Sequence, residues 1–132
     1  MRSIARTIHL VAAWLFVAGL VVQVFLAGLG VFGGPASFVT HRDVGYSLSV
    51  IPIVLLVAGL IGGLGRRLAL LAALEFVLFI LQSVFVLMRT SAPAVAALHP
   101  VNGFLILLIA LLIARESLAA RASAVAAQTS GA

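Results

Sequence analysis

The chain has 132 residues, 64% of them hydrophobic and only 8% charged. A soluble domain carries about a quarter charged residues to cover its surface, so a water-soluble globule is excluded, and the length suits one compact bundle. The net charge is +5, every basic residue is an arginine, and cysteine is absent, which rules out disulfides, thiolate catalysis, iron–sulfur clusters and cysteine-attached haem.

A span of roughly 20 apolar residues crosses a bilayer core, and four such runs follow one another along the chain. The first predicts a helix over about 4–32, closed by Gly33-Gly34-Pro35. Arg2 and Arg6 precede it in the manner of a secretory signal, but the run is longer than a signal core. No A-x-A cleavage site follows, so it reads as a retained helix. The second predicts a helix over about 40–61, ending at Gly62-Gly63-Leu64-Gly65. It contains Pro52, which frees the carbonyl of Leu48 and predicts a kink, with Ser47 or Ser49 near enough to satisfy local backbone. The third covers about 66–88 and is broken by Arg89 to Pro93. The fourth covers about 98–114. A polar Ala/Ser-rich tail, 119–132, reads as disordered and leaves 1–118 as the bundle.

Connections this short make neighbouring helices antiparallel. The expected fold class is all-α, an integral membrane four-helix bundle in up-down-up-down order. Arginine placement gives the orientation. Arg2, Arg6, Arg66, Arg67, Arg115 and Arg121 fall on one side, and Arg42 and Arg89 on the other. Both termini are then cytoplasmic. The arginines flank apolar runs and form no patch, so the partner is the lipid bilayer and not nucleic acid.

The two halves repeat. The first reads Pro35-Ala36, four residues, His41, three residues, Gly45, Tyr46; the second reads Pro93-Ala94, four residues, His99, three residues, Gly103, Phe104. Gln23 precedes His41 by 18 positions, and Gln82 precedes His99 by 17. Leu or Ala matches mean nothing in so biased a chain, but aligned Pro, His, Gly and Gln do. Two repeated hairpins in one orientation are related by an axis along the membrane normal. His41 and His99 then sit at one depth on diagonal helices, where inward side chains meet.

Two neutral imidazoles from opposite sides suit one haem iron. The glycine at i+4 lies on the same helix face one turn deeper, so Gly45 and Gly103 leave room for a flat macrocycle. Zinc prefers three or four ligands. The expected cofactor is therefore haem b, with His41 and His99 as metal ligands. Arg42 and Arg89 stand ready for the propionates, although each also reads as a snorkelling interfacial residue. Thr40 and Asn102 are weaker neighbours of the site. Taken singly, a histidine near a helix start also reads as a backbone cap.

Gln23 and Gln82 lie below the histidines, as contacts to the macrocycle or as hydrogen bonds between helices. Gly28 and Gly30 read as close-packing positions, and Trp14 and Tyr46 as interfacial or packing aromatics. Glu75 is the acid inside a span, where a charge costs about 3 kcal/mol. His9 is expected nearer the surface and able to share its network. Neither has a counterpart in the repeat, whose equivalent positions hold Phe16 and Leu68.

The segment QVFLAGLGVF (23–32), His41-x-x-x-Gly45 and Leu98-His99-Pro100-Val101-Asn102-Gly103 together resemble an uncharacterised family of small four-helix bacterial membrane proteins. The hairpin with a histidine opening helices two and four is similar to one half of haem A synthase, and more distantly to diheme b-type cytochromes. In haem A synthase the histidine pair often occurs as His-Arg. His41-Arg42 matches and His99-Pro100 departs, so the resemblance implies haem-binding geometry and not synthase activity.

Three functions are open at this point. The first is a b-type haem protein for electron transfer or haem carriage, with both axial positions filled and a redox partner nearby. The second is a non-catalytic subunit or assembly factor of a larger membrane complex, or a homodimer. The third is a quinone-interacting or proton-coupled carrier using Glu75 and His9. Whether the chain is an enzyme is not decided by these residues.

Overall fold

The structure, a computed structural model, describes residues 1–130. It is all-helical among those residues. The helices are α1 (Arg2–Phe32), α2 (Ser37–Leu48), α3 (Ile51–Gly62), α4 (Arg66–Leu87), α5 (Pro93–Ala96) and α6 (Leu98–Ser130). Four segments are long and apolar enough to cross a membrane: Arg2–Phe32, Ser37–Gly62, Arg66–Leu87 and Pro93–Ala126. Their outward faces carry Leu, Val, Ile and Phe, many more than half exposed. Such a surface matches lipid, where only backbone satisfied within each helix is affordable.

Each helix ends where the sequence breaks it. The amide of Gly33 folds back on the Leu29 carbonyl at 2.7 Å, and Gly34 takes a φ of 113° ahead of Pro35. α3 closes in a Schellman turn. Gly63 is left-handed at φ 62°, while Leu64 N–H reaches Gly59 O and Gly63 N–H reaches Leu60 O. The predicted kink in the second span appears as a break at residues 49 and 50, between α2 and α3. There the Ser49 hydroxyl donates to the Tyr46 carbonyl at 2.6 Å, and that of Ser47 to Asp43 O at 3.0 Å.

The fourth span departs from expectation. The helix that was to stop near residue 114 continues to Ser130, through the stretch expected to be disordered. The reason is local. From Glu116 to Ser130 the chain holds no glycine or proline, and alanine, the best helix former, dominates. Residues 131 and 132 lie outside the described residues.

The core is a single apolar cluster. It takes Ala13, Phe16, Val17 and Leu20 from α1, Leu48 from α2, Leu55 from α3, and Leu68 and Ala72 from α4. Ile106, Ala110, Ile113 and Ala114 of α6 complete it. α1 packs on α2, α3 and α6, and α4 packs on α3 and α6. Across the middle, the rings of Phe16 and Phe79 stack tilted with centroids 5.5 Å apart. Gly30 is buried against Phe38, whose ring lies 2.6 Å from where a β-carbon would stand; Gly28 faces open space.

One end of the bundle is tied by arginines. Arg6 donates its Nε–H to the Gly62 carbonyl at 2.8 Å, and Arg67 pairs with Glu116 at 2.8 Å. Phe16 is fully buried whereas Phe25 is 64% exposed. Phe16→Ala is therefore expected to cost roughly 3–5 kcal/mol through the cavity it leaves, and Phe25→Ala less than about 0.5 kcal/mol. Thermal unfolding of both variants in detergent measures the difference.

Candidate functional site

His41 opens the body of α2, and His99 stands in the first turn of α6. Their rings meet in an edge arrangement with centroids 6.2 Å apart, and both are half-buried. Each ring is held in the same way. His41 Nδ1 lies 3.1 Å from the Gln23 carbonyl of α1, and His99 Nδ1 lies 3.1 Å from the Gln82 carbonyl of α4. A carbonyl only accepts, so in both rings the Nδ1–H donates. In the neutral imidazole this leaves Nε2 as the lone-pair nitrogen, and a metal-ligating histidine is held by this kind of bond.

Sequence reasoning brought His41, His99, Gln23 and Gln82 to this place, with Asn102 as a weaker neighbour, and the structure gives Asn102 its hydrogen-bond partners. Asn102, 5% exposed, donates to the Leu78 carbonyl at 2.9 Å and to Gln82 Oε1 at 2.6 Å. That turns the Gln82 amide nitrogen toward His99, where it donates to Nε2 at 3.3 Å. The Gln23 side chain is the looser twin. Its two amide atoms are buried and have no hydrogen-bond partner within the described residues. The position one turn along α2 that corresponds to Asn102 holds Val44, which has nothing to donate.

The glycines do something other than what their spacing suggested. A β-carbon on Gly45 would stand 3.4 Å from Gln23 Nε2, and one on Gly103 would stand 3.4 Å from Gln82 Nε2. The room beneath each histidine is thus taken by a glutamine amide. The arginines are not drawn in either. Arg42 is exposed and pairs with its neighbour Asp43 at 2.8 Å. Arg89, also exposed, reaches back to the Val86 carbonyl at 3.3 Å.

A second polar group sits at the arginine-rich end. His9 and Glu75 are fully buried, and Ser117 is 4% exposed. The Ser117 hydroxyl donates to Ile113 O at 2.6 Å. It therefore accepts the Nδ1–H of His9 at 2.9 Å. His9 Nε2 and both carboxyl oxygens of Glu75 have no partner among the described residues, and Gly59 passes 3.4 Å from His9 Nε2, measured to its would-be β-carbon. His9 had been expected nearer the surface; the extension of α6 covers it. Ser117 escaped the sequence reading because helix four was ended too early. The signal was present, since Ile106, Ala110, Ile113, Ala114 and Ser117 form one helical stripe.

No curated protein and no solved structure matches the chain, so the likeness to haem A synthase gains nothing from these comparisons. A family pattern does match, over residues 23–92. The matched segment contains Gln23, His41, Gly45, Glu75 and Gln82, and it ends before His99. It covers just over half of the sequence, and the chain belongs to the family of unknown function DUF6220.

Proposed function

We propose that the chain is a membrane protein of the bacterial cell membrane that holds a b-type haem between His41 and His99, for electron transfer or haem carriage. The reading rests on one observation, the 6.2 Å between the two ring centroids, each ring having its Nδ1–H fixed on a carbonyl. A separation of this size is what two imidazoles sharing one iron would require, with their Nε2 atoms as the ligands.

The macrocycle asks more of the site. The space beside the iron is where the two glutamine amides lie, and both have to swing away. For Gln23 that breaks no hydrogen bond. For Gln82 it breaks those to Asn102 and His99. Haem bound here would supply one-electron chemistry. His41 and His99 would hold the iron, the Gln23 and Gln82 carbonyls fix the rings, and Gly45 and Gly103 would add no side chain of their own to the space that the glutamine amides now fill. Arg42 and Arg89 reach propionates only by leaving their present partners.

The same reading includes an up-down-up-down arrangement of two repeated hairpins with both termini in the cytoplasm. The matched bonds His41–Gln23 and His99–Gln82 support the repeat. The gathering of Arg6, Gly62, Arg67 and Glu116 at one end of the bundle supports the alternating helix directions. A second reading, a proton-coupled or quinone-interacting carrier, is favoured by the burial of His9 and Glu75. Placement in a larger complex as a non-catalytic subunit is the outcome if neither chemistry is found.

The absorption spectrum of the protein purified in detergent, after expression with ample haem, tests the proposal. A Soret band and sharp α and β bands on reduction are expected, lost in His41→Ala and in His99→Ala and retained in His9→Ala. A colourless wild type, or a spectrum that survives both substitutions, rejects the site. Asn102→Leu releases Gln82 and should tighten haem binding by roughly five-fold, the worth of about one net hydrogen bond of ~1 kcal/mol; haem titration reads this. Glu75→Gln is expected to keep the colour, and a change in quinone-linked or proton-linked behaviour in that variant would establish the second reading.

Orientation is tested by labelling, since the sequence offers no competing thiol. Thr90→Cys should react with an impermeant maleimide on intact cells or spheroplasts. Leu64→Cys should react only once the membrane is opened. The reverse pattern inverts the topology.

A further inference from the structure

We infer that the arginine-rich end carries a binding site for the phosphate of an anionic phospholipid, in the cleft between the first turns of α1 and the last part of α6. The cleft has a volume of about 280 Å³ and is lined by Arg2, Ser3, Arg6, Thr7 and Arg121, with Ser117 in its wall. Leu64, Ala124 and Val125 supply the apolar lining.

Three guanidinium groups line this cleft and no acid does. Glu116, the nearest acid in sequence to Ser117, is committed to Arg67. Like charges gathered this way repel unless an anion sits among them. Arg6 spends its Nε–H on the Gly62 carbonyl and keeps its terminal N–H groups. Arg2 and Arg121 form no ion pair, and the Ser3 and Thr7 hydroxyls have no partner among the described residues. Arg2, Ser3, Arg6 and Thr7 are spaced to face one side of α1, and the first-turn amides of that helix have no intrahelical acceptor. Planar guanidinium forks, hydroxyls and the positive end of a long helix are the donor set that phosphate oxygens select.

Position decides the source of the phosphate. The cleft lies where the apolar part of α1 begins and that of α6 ends, which is headgroup depth. Its apolar wall suits the glycerol and upper acyl carbons of a lipid. Basic clefts between membrane helices recognise anionic headgroups in this way. The site exists only because α6 runs on past residue 114. The inference does not depend on haem.

Native mass spectrometry of the full chain, released from nanodiscs containing phosphatidylglycerol and phosphatidylcholine in equal parts, provides the test. Retention of phosphatidylglycerol is expected. Arg2→Gln/Arg121→Gln should weaken it about thirty-fold, at a factor of five or so for each arginine. Arg66→Gln/Arg115→Gln removes the same charge at the same end outside the cleft and should change it less than two-fold. Thr7→Val, which alters no charge, should also weaken it. Equal loss in the two arginine pairs would show a diffuse surface effect and overturn the site, as would equal retention of the two lipids. Inorganic phosphate added in detergent separates the sources. If it binds the lipid-free protein and phosphatidylglycerol does not displace it, the lipid assignment fails.

Discussion

A side chain that enters a bilayer with a polar group must find its partner on the protein, because hydrocarbon offers none. At the histidine end this requirement is met by one bond, made twice. An imidazole N–H lands on a main-chain carbonyl of the preceding long helix, 18 residues upstream for His41 and 17 for His99. The acceptor is backbone, so no change of side chain at Gln23 or Gln82 removes it. The bond also fixes the tautomer, and with it which nitrogen is left over. The 6.2 Å meeting of the rings is a consequence of two such bonds on neighbouring helix pairs.

Much of this was legible in the sequence, and for a physical reason. Spans of this apolarity are specified by solvent alone, so four runs and their Gly/Pro breaks gave the helices to within a few residues at most ends. The exception is the end of α6, where apolarity fell but helix propensity did not. Reading polarity as disorder missed an alanine-rich segment that stays helical. The pairing of His41 with His99 was legible because aligned polar residues stand out against an apolar background. The role of the glycines was not. Spacing shows that room exists at i+4, but only packing shows that a glutamine from the next helix fills it. The burial of His9 was missed for the same reason as Ser117, since both depend on the far end of α6.

The settings of the two histidines differ. On one side Asn102 clamps the amide of Gln82 from below, and Gln82 in turn answers His99 Nε2. On the other side Val44 stands where the clamp would be, and the buried amide of Gln23 answers nothing. Leaving such a group unpaired costs about 1–3 kcal/mol, a penalty removed if the amide turns out toward other donors. The Gln82 amide is therefore locked in place, whereas the Gln23 amide can turn without breaking a hydrogen bond.

At the opposite end, one hydroxyl belongs to two settings. Ser117 forms part of the wall of the arginine-lined cleft, and the same oxygen accepts the proton of buried His9. Its own hydrogen is held by Ile113 O, so it cannot turn to donate elsewhere without breaking that bond. His9 is thus oriented by a group that stands at the edge of a charged, half-open cleft. Through this one oxygen the extension of α6 joins the wall of the arginine-lined cleft to the buried imidazole of His9.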